Sequence, residues 1–157
     1  MEQKILIPLD GSKIGEAALP RVEDLVSKLV PGGARVEVTL LQVVSTMRYL
    51  AVAGETGVQI PFDEKTLEID RQKAQEYLDK AAERLRNIGA TVYTRVEIGS
   101  AADEIIRVAD EINANLIAMS THGRSGITRW AFGSVSDRVL RGARQPILLI
   151  RARKSQP

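Results

Sequence analysis

Five short apolar runs recur along this chain, at Ile5 to Leu9, Val36 to Val44, Thr91 to Val96, Leu116 to Met119 and Ile147 to Ile150. Most are near-continuous instead of cleanly alternating, which is the pattern of strands buried on both faces and hence of a parallel sheet covered by helices. Segments of helical period lie between them. The first, from about Lys13 to Leu29, aligns Ile14, Ala17, Ala18, Val22, Leu25, Val26 and Leu29 before Pro31-Gly32-Gly33 stops it. Pro20 interrupts the stripe and predicts either a kink or a later helix start. The second, Glu64 to Ile88, repeats Leu67, Ala74, Leu78, Ala81, Leu85 and Ile88 ahead of Gly89. The third opens at Ser100-Ala101-Ala102-Asp103, a capping-box-like start, and buries Ile105, Ile106, Ala109 and Ile112. The fourth begins near Ser134 and carries Val135, Val139 and Leu140, with Asp137 three residues in.

This alternation predicts an open five-stranded parallel α/β sheet with helices on both faces and right-handed crossovers. Ligands of such sheets lie at the carboxyl ends of the strands, near the point where strand order reverses. Residues just after Leu9, Val44 and Met119 are therefore the places to look for chemistry. The stretch Ser45 to Asp63 contains Gly54, Gly57 and Pro61 without a clear period, and reads as a functional flap or a mobile loop.

At 157 residues the chain suits one domain spanning 1–157, and 44% apolar with 27% charged residues is a globular composition. Met1-Glu2-Gln3-Lys4 runs directly into an apolar stretch far too short for a signal sequence or a membrane span, so a cytoplasmic protein is expected. The chain contains no cysteine, which excludes thiol nucleophiles, disulfides, iron–sulfur clusters and thiolate zinc sites, and one histidine, His122, which excludes a multi-histidine metal site. The net charge of +2 hides an asymmetry: from Thr121 onward there are eight basic residues against Asp137 alone. Such a field attracts an anionic ligand; read blandly, it is a solvated surface with a basic tail. Aromatic residues, at 4%, are too few to build a stacking surface for nucleic acid.

Two strand ends carry candidate chemistry. Asp10-Gly11-Ser12 follows the first run; Asp10 either caps a helix or accepts hydrogen bonds from a ribose hydroxyl or an adenine amine. The segment from Ser120 to Ser136 follows the fourth run and holds three glycines, Gly123, Gly126 and Gly133, together with six hydroxyl residues. Glycine allows close backbone approach, amides at a helix N-terminus form a preorganised anion site, and Ser134 and Ser136 add hydroxyls. That combination fits phosphates. It is not a Walker loop, because no Gly-Lys-Ser/Thr is present, nor a dinucleotide fingerprint, because the glycines follow the fourth strand at the wrong spacing. Arg124 and Arg129 are either solvated or phosphate-binding. His122 is a general base or a loop hydrogen-bonding residue, and Trp130 and Phe132 either stack on a base or pin the loop to the core.

These residues resemble the universal stress protein family from Ile5-Leu6-Ile7-Pro8-Leu9-Asp10-Gly11-Ser12 to Pro146-Ile147-Leu148-Leu149-Ile150. Its nucleotide-binding members carry Gly-x-x-Gly, nine residues, then Gly-Ser or Gly-Thr. Here Gly123, nine residues and Gly133-Ser134 match, while Ser120 stands in the first glycine position. The resemblance implies a Rossmann-like fold of the adenine-nucleotide alpha-hydrolase-like type, binding ATP or AMP, with Mg²⁺ carried by the phosphates. Asp10 and the backbone at Val44 would hold the adenine and ribose end. Gly123, Gly133, Ser134, Val135 and Ser136 would hold the phosphates, with Ser120, Arg124 and Gly126 in the same loop. It also implies a homodimer paired through Ile147 to Ile150.

The leading expectation is thus an adenine-nucleotide-binding regulatory module whose output is occupancy instead of turnover. A slow ATPase or nucleotidyl transferase is the second reading, drawing on Asp10, His122, Asp63 or Glu55. A nucleotide-free dimeric interaction module, permitted by Ser120, is the third.

Overall fold

The computed structural model describes residues 1–50, 58–61, 63–122 and 133–152. In chain order these form β1 (Glu2–Pro8), a 3-10 turn (Gly15–Ala18), α1 (Leu19–Leu29), β2 (Arg35–Val44), β3 (Met47–Leu50), β4 (Val58–Pro61), α2 (Glu64–Asn87), β5 (Thr91–Ile98), α3 (Ala101–Glu111), β6 (Leu116–His122), α4 (Ser134–Gly142) and β7 (Ile147–Ala152). The five strands expected from the apolar runs make one parallel sheet in the order β5-β2-β1-β6-β7.

Two cores sandwich that sheet. Ile5 and Ile7 of β1, with Val36, Val38 and Leu40 of β2, meet Val22 and Val26 of α1 and Leu78, Ala82 and Leu85 of α2. Leu6 and Leu41 point the other way, against Ala102, Ile105, Val108 and Ala109 of α3 and Val139 of α4. Successive side chains of β1 thus enter opposite cores, which is why the sequence there reads as an unbroken apolar run.

Helices that connect parallel strands start on the side of the strands' carboxyl ends. Pro20 does not kink a helix: it occupies the first turn of α1, where its missing N–H leaves no bond unmade, and the 3-10 turn precedes it. Asp63 caps α2, its carboxylate accepting from the Thr66 amide at 2.8 Å and from the Thr66 hydroxyl at 3.0 Å. Ser100 occupies the N-cap position of α3 but its side chain makes no capping bond, so the expected capping box does not form.

On α4 the buried residues are Ser136 and Val139, while Val135 and Leu140 are exposed. Val135 shares the face of Val139 at four-residue spacing, but it lies in the first turn, at a cavity. Within the stretch read as a flap, β3 and β4 form an antiparallel ribbon, with Met47 opposite Pro61 and Leu50 opposite Val58. Four-residue strands are too short to show a period, which is why they escape a sequence reading. No helix among the described residues is long and apolar enough to cross a membrane.

The Asp63 cap makes a pH-dependent prediction. Bonds from the Thr66 amide and hydroxyl hold the Asp63 carboxyl below its ordinary value of 3.8, so the cap contributes above that value and is lost as pH falls through the lowered one. Asp63→Ala is expected to lower Tm by about 2–4 °C at pH 7. In thermal melts run from pH 7 into the acid range, the difference between the two proteins should vanish below the lowered pKa.

Candidate functional site

The strand order reverses between β1 and β6, and there the two strands part. Their pairing is confined to Ile5 with Leu116 and Leu6 with Ile117. Beyond Pro8, which has no N–H to offer, a cavity of about 250 Å³ opens at their carboxyl ends, near the lower end of the size of small-molecule sites, roughly 300 Å³. Leu41, Val43, Ile105 and Met119 give it an apolar lining. Asp10, Gly15 and Ser120 line it too, as do Gly133, Ser134, Val135 and Ser136 from the start of α4.

The Asp10 side is a closed knot of short-range bonds. Gly11, at φ +80°, makes the left-handed step that turns the chain out of β1. Asp10 Oδ1 then accepts from the Ser12 amide at 2.9 Å and the Ser12 hydroxyl at 2.6 Å. Ser12 Oγ in turn accepts from the Gly15 amide at 3.0 Å. A Cβ on Gly15 would run into Asp10 Oδ1, so a side chain there would move the Asp10 carboxylate. The 3-10 turn is also tied to α2: the Tyr77 hydroxyl donates to Glu16 at 3.0 Å, and burial together with that carboxylate pushes the phenol's pKa up, so it stays a donor.

Ser120 reaches the same turn from β6. Ala118 belongs to the core of α1 and α2, whereas Ile117 and Met119 belong to the opposite one. Alternation therefore sends the Ser120 side chain toward the 3-10 turn, where its hydroxyl donates to the Gly15 carbonyl at 2.9 Å.

The α4 side is built from backbone. Gly133 is the N-cap, and among the described residues no side chain caps the first turn. Its amides and the positive end of the helix dipole therefore border the cavity. Gly133 has φ −59° and ψ 155°, which any residue adopts, and no described atom lies within 4 Å of where its Cβ would be. Nothing in the described protein requires glycine here. Ser136 is buried at 5% exposure, and Val135 stands at 36%.

Of the expected site residues, Asp10, Ser120, Gly133, Ser134, Val135 and Ser136 thus converge on one cavity. Gly123, Arg124 and Gly126 lie outside the described residues, as do Arg129, Trp130, Phe132 and Glu55. Val44 is not brought to the cavity. It borders a separate hollow with Gln42, Lys73 and Tyr77, and its carbonyl accepts from the Gly99 amide at 3.0 Å. Val43 lines the cavity instead, because a shift of one residue along a strand changes the face. Asp63, offered as a base for the enzyme reading, has its carboxylate engaged as a cap. Part of the basic excess is paired, Arg138 with Asp103 at 2.7 Å and Arg141 with Asp137 at 3.0 Å. Gly15 escaped the sequence reading, although a glycine inside a proposed helix is itself a signal of a conformational or steric demand.

A model of the universal stress protein family matches residues 1–151. A universal stress protein of Methanocaldococcus jannaschii is 27% identical over 154 residues, 98% of this chain and 85% of that one. Among solved structures, one from the universal stress protein family of Burkholderia pseudomallei is 28% identical, with TM-score 0.67 over 96% of both chains. The universal stress protein of Archaeoglobus fulgidus in complex with dAMP is 24% identical, with TM-score 0.56 over 94% of this chain and 97% of that one.

The two cavity glycines should respond differently to a methyl group. Gly15→Ala is expected to displace the Asp10 carboxylate from Ser12, lowering Tm by about 2–6 °C and speeding hydrogen exchange of the Ser12 amide. Gly133→Ala should change Tm by no more than about 2 °C and leave Ser12 unaffected.

Proposed function

This chain belongs to the universal stress protein family, and from that premise we propose that it binds an adenine nucleotide, AMP or ATP, in the cavity between Asp10 and α4. The observation that carries the reading is the pairing of opposite polarities across one apolar-lined cleft. A carboxylate stands at one side, suited to ribose hydroxyls or an adenine amine, and an uncapped helix start at the other, suited to phosphate. Gly133 supports it: a glycine with no conformational or packing demand in the described protein is accounted for by a ligand approaching the main chain there. A solved member of the family carries dAMP. Ser134, Val135 and Ser136 would hold the phosphates, with Gly123, Arg124 and Gly126 completing the loop. Mg²⁺ would arrive on the phosphates, held by their oxygens and a serine hydroxyl.

The output of the module is occupancy, sensed in the cytoplasm through a homodimer. β7 is the edge of the sheet, and Leu148 on it is 38% exposed, so pairing of two β7 strands across a two-fold axis would remove both an open edge and an apolar surface.

Calorimetric titration tests the ligand. AMP and Mg-ATP should each give saturable heat and raise Tm, and Gly133→Ala should weaken both by about tenfold or more, a loss of about 1.4 kcal/mol. Absence of heat and of thermal stabilisation at millimolar nucleotide removes the proposal. Sedimentation velocity tests the assembly. The wild type should run at twice the 17.2 kDa chain mass and Leu148→Glu at the chain mass itself; a wild-type monomer sinks the dimer.

A further inference from the structure

Serine at position 120 replaces the glycine that the signature of the family's nucleotide-binding members places there, and the structure gives that serine its own task. We propose that Ser120 is a positioning residue for Asp10, acting through Gly15, and so sets how firmly the nucleoside end of the ligand is held. The inference rests on the nucleotide reading above.

The linkage is a sequence of direct contacts. Ser120 Oγ donates to the Gly15 carbonyl at 2.9 Å, joining two segments that lie 105 residues apart in the chain. The Cα of Gly15 lies against the Asp10 carboxylate, close enough that an added Cβ would displace Oδ1. Its amide is held at the same time by Ser12 Oγ, itself bonded to Asp10 Oδ1. Gly15 is thus gripped at its amide, its Cα and its carbonyl, and only the last of these grips reaches outside the loop to the sheet. Tyr77 reaches the neighbouring Glu16 from α2.

With alanine at 120, the turn keeps its internal bonds but loses its tie to β6. The Asp10 carboxylate is exposed, so its place depends on its contacts with the turn. A looser turn lets it sample positions in which the ligand's hydroxyls or amine are not met, and binding then carries the cost of ordering it. Glycine at this position has no such tie. The serine side chain leaves toward the turn and away from the α3 and α4 face, so the substitution adds a bond without occupying the part of the cleft where α4 begins.

Two measurements on Ser120→Ala decide this. Hydrogen exchange of the unliganded protein should show the amides of Ser12 and Gly15 opening about fivefold faster, consistent with one lost hydrogen bond of about 1 kcal/mol. Titration should show AMP and ATP weakened by the same factor, about fivefold, because the defect lies at the nucleoside end that both share. In an Asp10→Ala background, which removes the positioned group, the Ser120→Ala loss should disappear, as a double-mutant cycle reports for a residue acting through another. Unchanged exchange across residues 10–18 overturns the tie. Weaker ATP with unaltered AMP, or a loss that persists in the Asp10→Ala background, overturns the role in positioning. Should the wild type bind neither nucleotide, the nucleotide reading fails together with the affinity part of this inference, and the exchange experiment still judges the tie between Ser120 and Gly15 by itself.

Discussion

Water is kept from both faces of β1 and β2, and the rest of the architecture answers to that condition. Ile5 and Ile7 enter one core and Leu6 the other, so helices have to cover both sides, and the chain has to cross from strand to parallel strand through them. It goes outward from β1 through β2 to β5, then returns to lay β6 and β7 on the opposite side of β1. That return produces the reversal of strand order, where connections leave in opposite directions and a crevice is left at the carboxyl ends of the strands. The cavity at Asp10 is therefore a product of topology before it is a product of any side chain.

What occupies the rim of that gap is chemically divided. One part is a loop whose bonds are almost all internal, from Asp10 through Ser12 to Gly15, with Ser120 as its tie to the sheet. The other is the bare start of α4, where backbone amides supply the positive end. The two glycines at the rim differ in surroundings. A Cβ on Gly15 would meet Asp10 Oδ1, whereas no described atom lies within 4 Å of where the Cβ of Gly133 would be.

Much of this was legible in residue order because it depends on local periodicity. The parallel sheet follows from the continuity of Ile5 to Leu9 and Val36 to Val44, and the α2 helix from the spacing of Leu78 and Leu85. Asp10, a turn residue just after β1, and Gly133-Ser134, at the start of α4, were singled out from the sequence and line one cavity. What the spacing left open has another character. Val43 and not Val44 lines the cavity, and on α4 Ser136 and Val139 are buried while Val135 and Leu140 are exposed. Ser100 was read as a capping side chain and makes no capping bond. Each is a matter of one residue or one rotamer, and such shifts cost little locally.

By its own pattern, then, the sequence determined the class of fold, the order of its elements and the strand ends at which chemistry would gather, because apolar spacing and turn residues act over a few positions. Only the tertiary structure decided which side of a strand faces the cleft, that Ser120 bonds Gly15 across 105 residues, and that Gly15 lies against the Asp10 carboxylate. Those outcomes depend on what distant segments place against a residue, and no window of neighbouring letters contains that information.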